Sequence, residues 1–247
     1  MKIGVYGLGR FGEFWASRLA DFHTVLGWSR NRDRPTPLGV RRVSEKECLA
    51  APVVLLCVAI SAMEEVLESI AGRLAPGTLV MDTCSVKVYP SKLMLRLLPP
   101  EIEILATHPM FGPDSGMGGI VNLPIVLSPL RVDGKTVRFW RESFKEMGLK
   151  VVDMSPRQHD EEVAFSQGIT HFIGRVLGEL NLNPSMIGTT AYRELLEIAQ
   201  QTCNDPWDLF VDLQRFNPHT AAMRKRLRAA INLMLDKFES IELPEDI

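Results

Sequence analysis

Cysteine is scarce in this chain: Cys48, Cys57, Cys84 and Cys203 are spread over 247 residues. No two of them have metal-ligand or disulfide-framework spacing, so they read as reduced thiols of a cytoplasmic protein. Net charge is nearly absent too. The 28 basic and 30 acidic side chains leave a formal -2, which argues against a general nucleic-acid binder, because such proteins need a basic surface. The basic stretch KRLRAA (225–230) is short and isolated and reads as a solvated helix face. Long apolar runs are missing as well. The longest, VVLLCVAI at 53–60, falls far short of the roughly 20 residues that cross a bilayer. It reads as a strand buried on both faces. The opening MKIGVYG enters a strand and a glycine turn at once, without the pattern of a signal peptide. A cytoplasmic protein without a membrane or nucleic-acid partner is expected.

What is there is a globular composition, 46% hydrophobic and 23% charged, with enough length for a substantial core. Strands are expected at 2–7, 24–29, 53–59, 78–83 and 103–108. Helical spacing marks 10–22, where Phe11, Trp15, Leu19 and Phe22 share a stripe, and 63–74. Strands alternating with helices predict an α/β fold with a mostly parallel, doubly wound sheet. The pattern changes near Met154. Ser155 reads as an N-cap and Pro156 as the first helical residue. Beyond them helices are expected over 156–181, 185–203, 205–216 and 218–241, with no further strand. The chain thus divides into a Rossmann-type dinucleotide-binding domain, 1–154, and a smaller all-helical domain, 155–247.

GLGRFG (7–12) fits G-x-G-x-x-G and lies between a strand and a helix, the context that gives the motif its meaning. Gly7 permits the tight turn, Gly9 lets the backbone approach a pyrophosphate, and Gly12 lets helix and strand pack closely. Leu8, Arg10 and Phe11 complete this loop, and Cys57 and Val58 follow the neighbouring strand. An NAD site commonly has an acid about 20 residues onward. Here GWSRNRDR (27–34) offers Ser29, Arg30 and Arg32. A hydroxyl with arginines suits a 2′-phosphate, so NADP is favoured over NAD, with Asp33 as an alternative ribose ligand.

THPMFGPDSG (107–116) contains two prolines and two glycines, which predicts a shaped loop presenting His108. DTCSVK (82–87) follows another strand and places Ser85 and Lys87 at the same end of the sheet, where open α/β sheets bind ligands. In SQGITHFIG (166–174), Gln167 and His171 share a helical face. His171, flanked by apolar residues, reads either as a core histidine or as a ligand contact. His159 and Asp160 read as capping or hinge residues. Cys84 has no adjacent histidine and is not expected to be a nucleophile.

GLGRFG, DTCSVK, THPMFGPDSG, the SQGITHF helix and YRELLE (192–197) together resemble the prephenate/arogenate dehydrogenase family of tyrosine biosynthesis. They occur in family order over most of the chain. HPMFGPDSG is the most specific, and resembles the dehydrogenase portion of bifunctional bacterial mutase-dehydrogenases. The resemblance implies oxidative decarboxylation of prephenate or arogenate by hydride transfer to NADP or NAD. It makes His108 the catalytic histidine, with Ser85 and Lys87 beside it. It gives Gln167, His171 and Arg193 to the substrate, the last as carboxylate clamp. It also implies a homodimer, and the apolar residues Leu227, Ile231, Leu233, Met234, Leu235 and Phe238 place that contact on the C-terminal helices. Two other functions stay open on the residues alone. One is another two-domain NADP-dependent reductase of a hydroxy acid or imine. The other is a nicotinamide-binding regulatory protein without catalysis.

Overall fold

Eight strands form one sheet in the order β3-β2-β1-β4-β5-β6-β7-β8. The structure, a computed structural model, describes residues 1–241; residues 242–247, the end of the expected helical domain, lie outside the described residues. The strands are β1 (Lys2–Tyr6), β2 (Thr24–Trp28), β3 (Val40–Arg42), β4 (Val53–Leu56), β5 (Leu79–Asp82), β6 (Glu103–Pro109), β7 (Pro124–Arg131) and β8 (Lys150–Asp153). Neighbours run parallel except β6 and β7. The order reverses between β1 and β4, which opens a crevice at the carboxyl ends of the strands.

The sequences VVLL and LVMD of β4 and β5 are buried at every position, as interior strands covered on both faces must be. One face packs on α1 (Arg10–Ala20) and α5 (Gly134–Glu146) through Trp15, Leu19, Trp140 and Phe144. The other packs on α2 (Glu45–Leu49), α3 (Met63–Ile70) and α4 (Val88–Leu97) through Leu49, Met63, Leu67, Leu93 and Met94. The short β3 and α2 carry too few periodic residues to stand out in the sequence, and α5 is the crossover between the parallel strands β7 and β8.

Five helices follow the sheet: α6 (Pro156–Phe165), α7 (Gln167–Glu179), α8 (Thr190–Asn204), α9 (Trp207–Phe216) and α10 (Thr220–Glu239). Ser155 and Gln158 form a capping box that starts α6. The single helix expected over 156–181 is two, because Ser166 leaves the helical region at φ -116° and ψ -89°. The helix expected from 185 begins five residues later, where the Thr189 side chain accepts from Tyr192 N–H. Carboxylates of this helical part cap helices of the sheet part. Asp160 accepts from Lys87 and Val88 N–H at 2.7 and 2.9 Å, at the start of α4, whose own N-cap side chain makes no capping bond. Asp212 accepts from the Ser61 N–H and hydroxyl at 2.9 and 2.8 Å, ahead of α3. Negative charge is favoured at these helix starts. Among the described residues no helix is long and apolar enough to cross a membrane.

Candidate functional site

The glycine loop lies at the carboxyl end of β1, beside the reversal in strand order. Gly7 has φ +110°, and a Cβ there would collide with the Cys57 carbonyl. A Cβ on Gly12 would collide with the Gly7 carbonyl oxygen. Gly9 differs, since a Cβ there would meet nothing within 4 Å. Its helix α1 has no side-chain cap. Open space over an uncapped helix start is what a dinucleotide pyrophosphate requires, so these residues fit the cofactor. The Leu8 side chain is fully buried and Phe11 packs toward Phe14 and Trp15, so only their backbones face this space. Arg10 is not left free for a phosphate. It is paired with Asp114 at 2.5 Å and with Asp205 at 2.8 Å.

Ser29, Arg30 and Arg32 follow β2 at the surface. Arg42, at the end of β3, donates to the carbonyls of Asn31 and Arg34, both at 3.0 Å, and so holds this loop. Arg42 was silent in the sequence because nothing there marks β3.

His108 is in β6, not on a loop. It stands opposite Val126 of β7, and Pro109 stands opposite Ile125. The proline is tolerated because β5 pairs with β6 only as far as Ala106. Met110 N–H donates to Pro124 C=O, so by the alternation of an antiparallel pair Pro109 turns its nitrogen to the side β5 has vacated.

His108 is 3% exposed. Its Nδ1 lies 2.8 Å from His159 Nε2, and His159 Nδ1 lies 2.8 Å from Asp160 Oδ1. An ionised Asp160 only accepts, so the protonation along the chain follows. His159 carries its proton on Nδ1 and receives at Nε2; His108 therefore carries its proton on Nδ1 and keeps an unprotonated Nε2. Burial above all, then the nearby His159, Lys87 and His171, holds the His108 pKa well below its ordinary value. Burial also lowers those of His159 and His171. The result is a neutral base with one open nitrogen. His159 and Asp160, expected as cap or hinge, are thus part of the site as well as of a cap. Their only sequence signal was their place at the domain junction.

Lys87 is completely buried. Its Nζ is paired with Asp82 Oδ2 and donates to the Thr107 carbonyl at 2.7 Å. Asp82, also fully buried, accepts further from Cys84 and Thr107 N–H at 3.0 and 3.2 Å. Lys87 therefore fixes the peptide immediately before His108 rather than turning its ammonium to the crevice, a correction to its expected place beside the substrate. Ser85, between these two residues, is 9% exposed. Burial pushes the Cys57 thiol up to about 12 and Cys84 well above its ordinary value. Neither thiol is an activated nucleophile.

Gln167 and His171 lie on α7. Gln167 Oε1 and His171 Nδ1 are buried without a hydrogen-bond partner. Arg193 is not brought to them within the chain. It is exposed in the first turn of α8 and donates to Gly188 C=O and Thr190 Oγ1 at 3.4 and 3.3 Å, because the Thr189 cap turns that helix start back on its own loop.

Residues 27–153 match the family model "Prephenate dehydrogenase, nucleotide-binding domain", and residues 176–242 match "TYRAAT1-like, C-terminal domain". The chain is 38% identical to arogenate dehydrogenase 1, chloroplastic, of Arabidopsis thaliana, over 93% of its own length and 38% of that protein's. It is 37% identical to arogenate dehydrogenase 2 of the same plant, over 98% of its own length and 69% of that protein's. It thus spans little more than a third of the first relative. In fold it resembles a crystal structure of prephenate dehydrogenase from A. aeolicus in complex with hydroxyphenyl propionate and NAD+. The TM-score is 0.73 at 16% identity, covering 97% of this chain and 92% of that one.

Proposed function

Because the chain belongs to the prephenate/arogenate dehydrogenase family, we propose that it oxidatively decarboxylates prephenate or arogenate with NAD(P). The observation that carries this reading is the neutral His108, with Nδ1 bonded to His159 and Nε2 open. Such a base accepts the 4-hydroxyl proton of a cyclohexadienol while hydride leaves C4. The bound nicotinamide supplies the hydride acceptor. As the ring carboxylate departs as carbon dioxide, its electron pair enters the ring. The ring becomes aromatic, and His108 returns the proton to the 4-oxygen. No net proton is released. Between the two transfers the positive charge on His108 is shared through His159 toward Asp160.

Gly7, Gly9 and Gly12 would hold the pyrophosphate, and Ser29, Arg30 and Arg32 support NADP over NAD. Neither arginine has an ion-pair partner among the described residues, so both are free to meet a 2′-phosphate.

The test is the appearance of reduced-nicotinamide absorbance with NADP or NAD, crossed with prephenate or arogenate. Turnover is expected in one combination, falling by about 10²–10⁴-fold in His108→Asn. Replacing Arg30 and Arg32 by Ala is expected to raise KM for NADP by about tenfold or more, leaving NAD unchanged. Cofactor binding without turnover in all four combinations would defeat the reading.

A further inference from the structure

Helix α7 carries three buried polar atoms that nothing satisfies: Gln167 Oε1, His171 Nδ1 and Arg175 Nε. They are spaced four residues apart, so they form one stripe along the helix. Buried polar atoms in proteins are normally hydrogen-bonded, and a row of exceptions asks for a missing partner.

Arg175 is the least expected of the three. It donates to the Asp205 backbone carbonyl, and its guanidinium lies 5.6 Å from the ring centres of both Trp207 and Phe210. It is therefore held in place. Yet no ion pair with a carboxylate engages it among the described residues, since the Asp205 carboxylate is taken by Arg10. An oriented guanidinium with a free, desolvated Nε–H is a receptor for a planar anion.

We propose that Arg175, with His171 one turn away, binds the side-chain carboxylate of the substrate. The inference rests on the dehydrogenase reading above. The reacting hydroxyl and the side chain of such a substrate lie at opposite ends of its ring. The base and the anion anchor must therefore lie apart with room between them. His108 is the base at one end, and His171, whose charge bears on His108, lies one turn from Arg175 on α7. This anchor is distinct from the clamp on the ring carboxylate that the family resemblance gave to Arg193. The alternative anion is the cofactor diphosphate, but Arg175 is on α7 rather than on the glycine loop.

The test is titration calorimetry on the cofactor-saturated protein. Its two probes are hydroxyphenylpropionate and para-ethylphenol, which lacks the carboxylate. The native protein is expected to prefer the carboxylate probe by about tenfold or more. Arg175→Gln is expected to erase that preference while the cofactor Kd persists. Arg175→Lys, which keeps the charge and the stem over the rings, is expected to retain part of it. The Lys variant decides the matter if the Gln variant does not fold. A preference unchanged in the variants overturns the inference and leaves the dehydrogenase reading standing. Loss of cofactor affinity instead assigns Arg175 to the diphosphate and also overturns it. Absence of turnover in the native protein sinks the reading itself.

Discussion

At the scale of the residue, the site depends on three histidines remaining neutral. His108, His159 and His171 all have pKa values lowered from 6.5, with burial the first cause. In the unfolded chain each titrates near that value. As pH falls through it, the unfolded chain takes up protons that the folded chain refuses. Their contribution favours folding fully above about 6.5 and is lost progressively on acidification. Denaturation midpoints should therefore fall between about pH 7 and pH 5, and a triple variant without these imidazoles should show a flatter profile. For the same reason kcat/KM should show no acid limb near 6.5, only one at distinctly lower pH. Asp160 sets the tautomers of both His159 and His108. Asp160→Asn is expected to lower kcat by about tenfold or more with little change in KM, because the base is misdirected rather than the substrate released. An unchanged kcat would show that the relay does not set the base. Lys87→Met would strand the buried Asp82 carboxylate, an effect of about 3–5 kcal/mol on stability, read from a urea or guanidinium midpoint.

At the scale of the element, the glycine loop separates two jobs that share one motif. Gly12 is needed by the fold, since its Cβ would strike the Gly7 carbonyl where α1 meets β1. Gly9 has open space above it. Gly9→Ala should keep the melting temperature within a few degrees, because Ala for Gly at a helix cap costs only about a kcal/mol or less, yet it should weaken cofactor binding strongly. Gly12→Ala should lower the melting temperature first. Equal loss of stability in both variants would contradict this division. The other decisive element is β6. By outlasting β5 it leaves one side of 107–109 without a neighbouring strand, and there a strand can carry His108 and then a proline.

At the scale of the whole molecule, the helical part is tied to the sheet by polar groups that also build the site. Asp160 caps α4 and orients His159. Asn217 donates to the Asp160 carbonyl at 2.9 Å. Arg10 links the glycine loop to Asp114 after β6 and to Asp205 before α9. Position of the helices and competence of the base are therefore coupled. The C-terminal half of α10 leaves Ile231, Leu233, Met234, Leu235 and Phe238 exposed. So large an apolar surface on one helix is unusual for a monomer, and we propose that a second copy covers it. Light scattering should give twice the chain mass at micromolar concentration; a monomer mass would remove the proposal, and Leu235→Glu should dissociate the dimer.

Local chemistry was enough to read the parallel strands, the glycine loop, the start of α6 and the candidate His108. Apolar runs, a G-x-G-x-x-G between strand and helix, and a Ser-Pro cap each act within a few residues of themselves, so the chain spells them out. The partners of those residues were not legible. His108 meets His159 across 51 residues and Lys87 meets Asp160 across 73, and no local pattern records which side chains a fold will bring to one point. The same holds for Lys87, whose ammonium is turned inward by Asp82, and for Arg175, whose unmet Nε exists only once Trp207, Phe210 and Asp205 close around it. Periodicity determined what this chain could form; packing decided which groups were left neutral, buried or without a partner, and those are the groups that carry its chemistry.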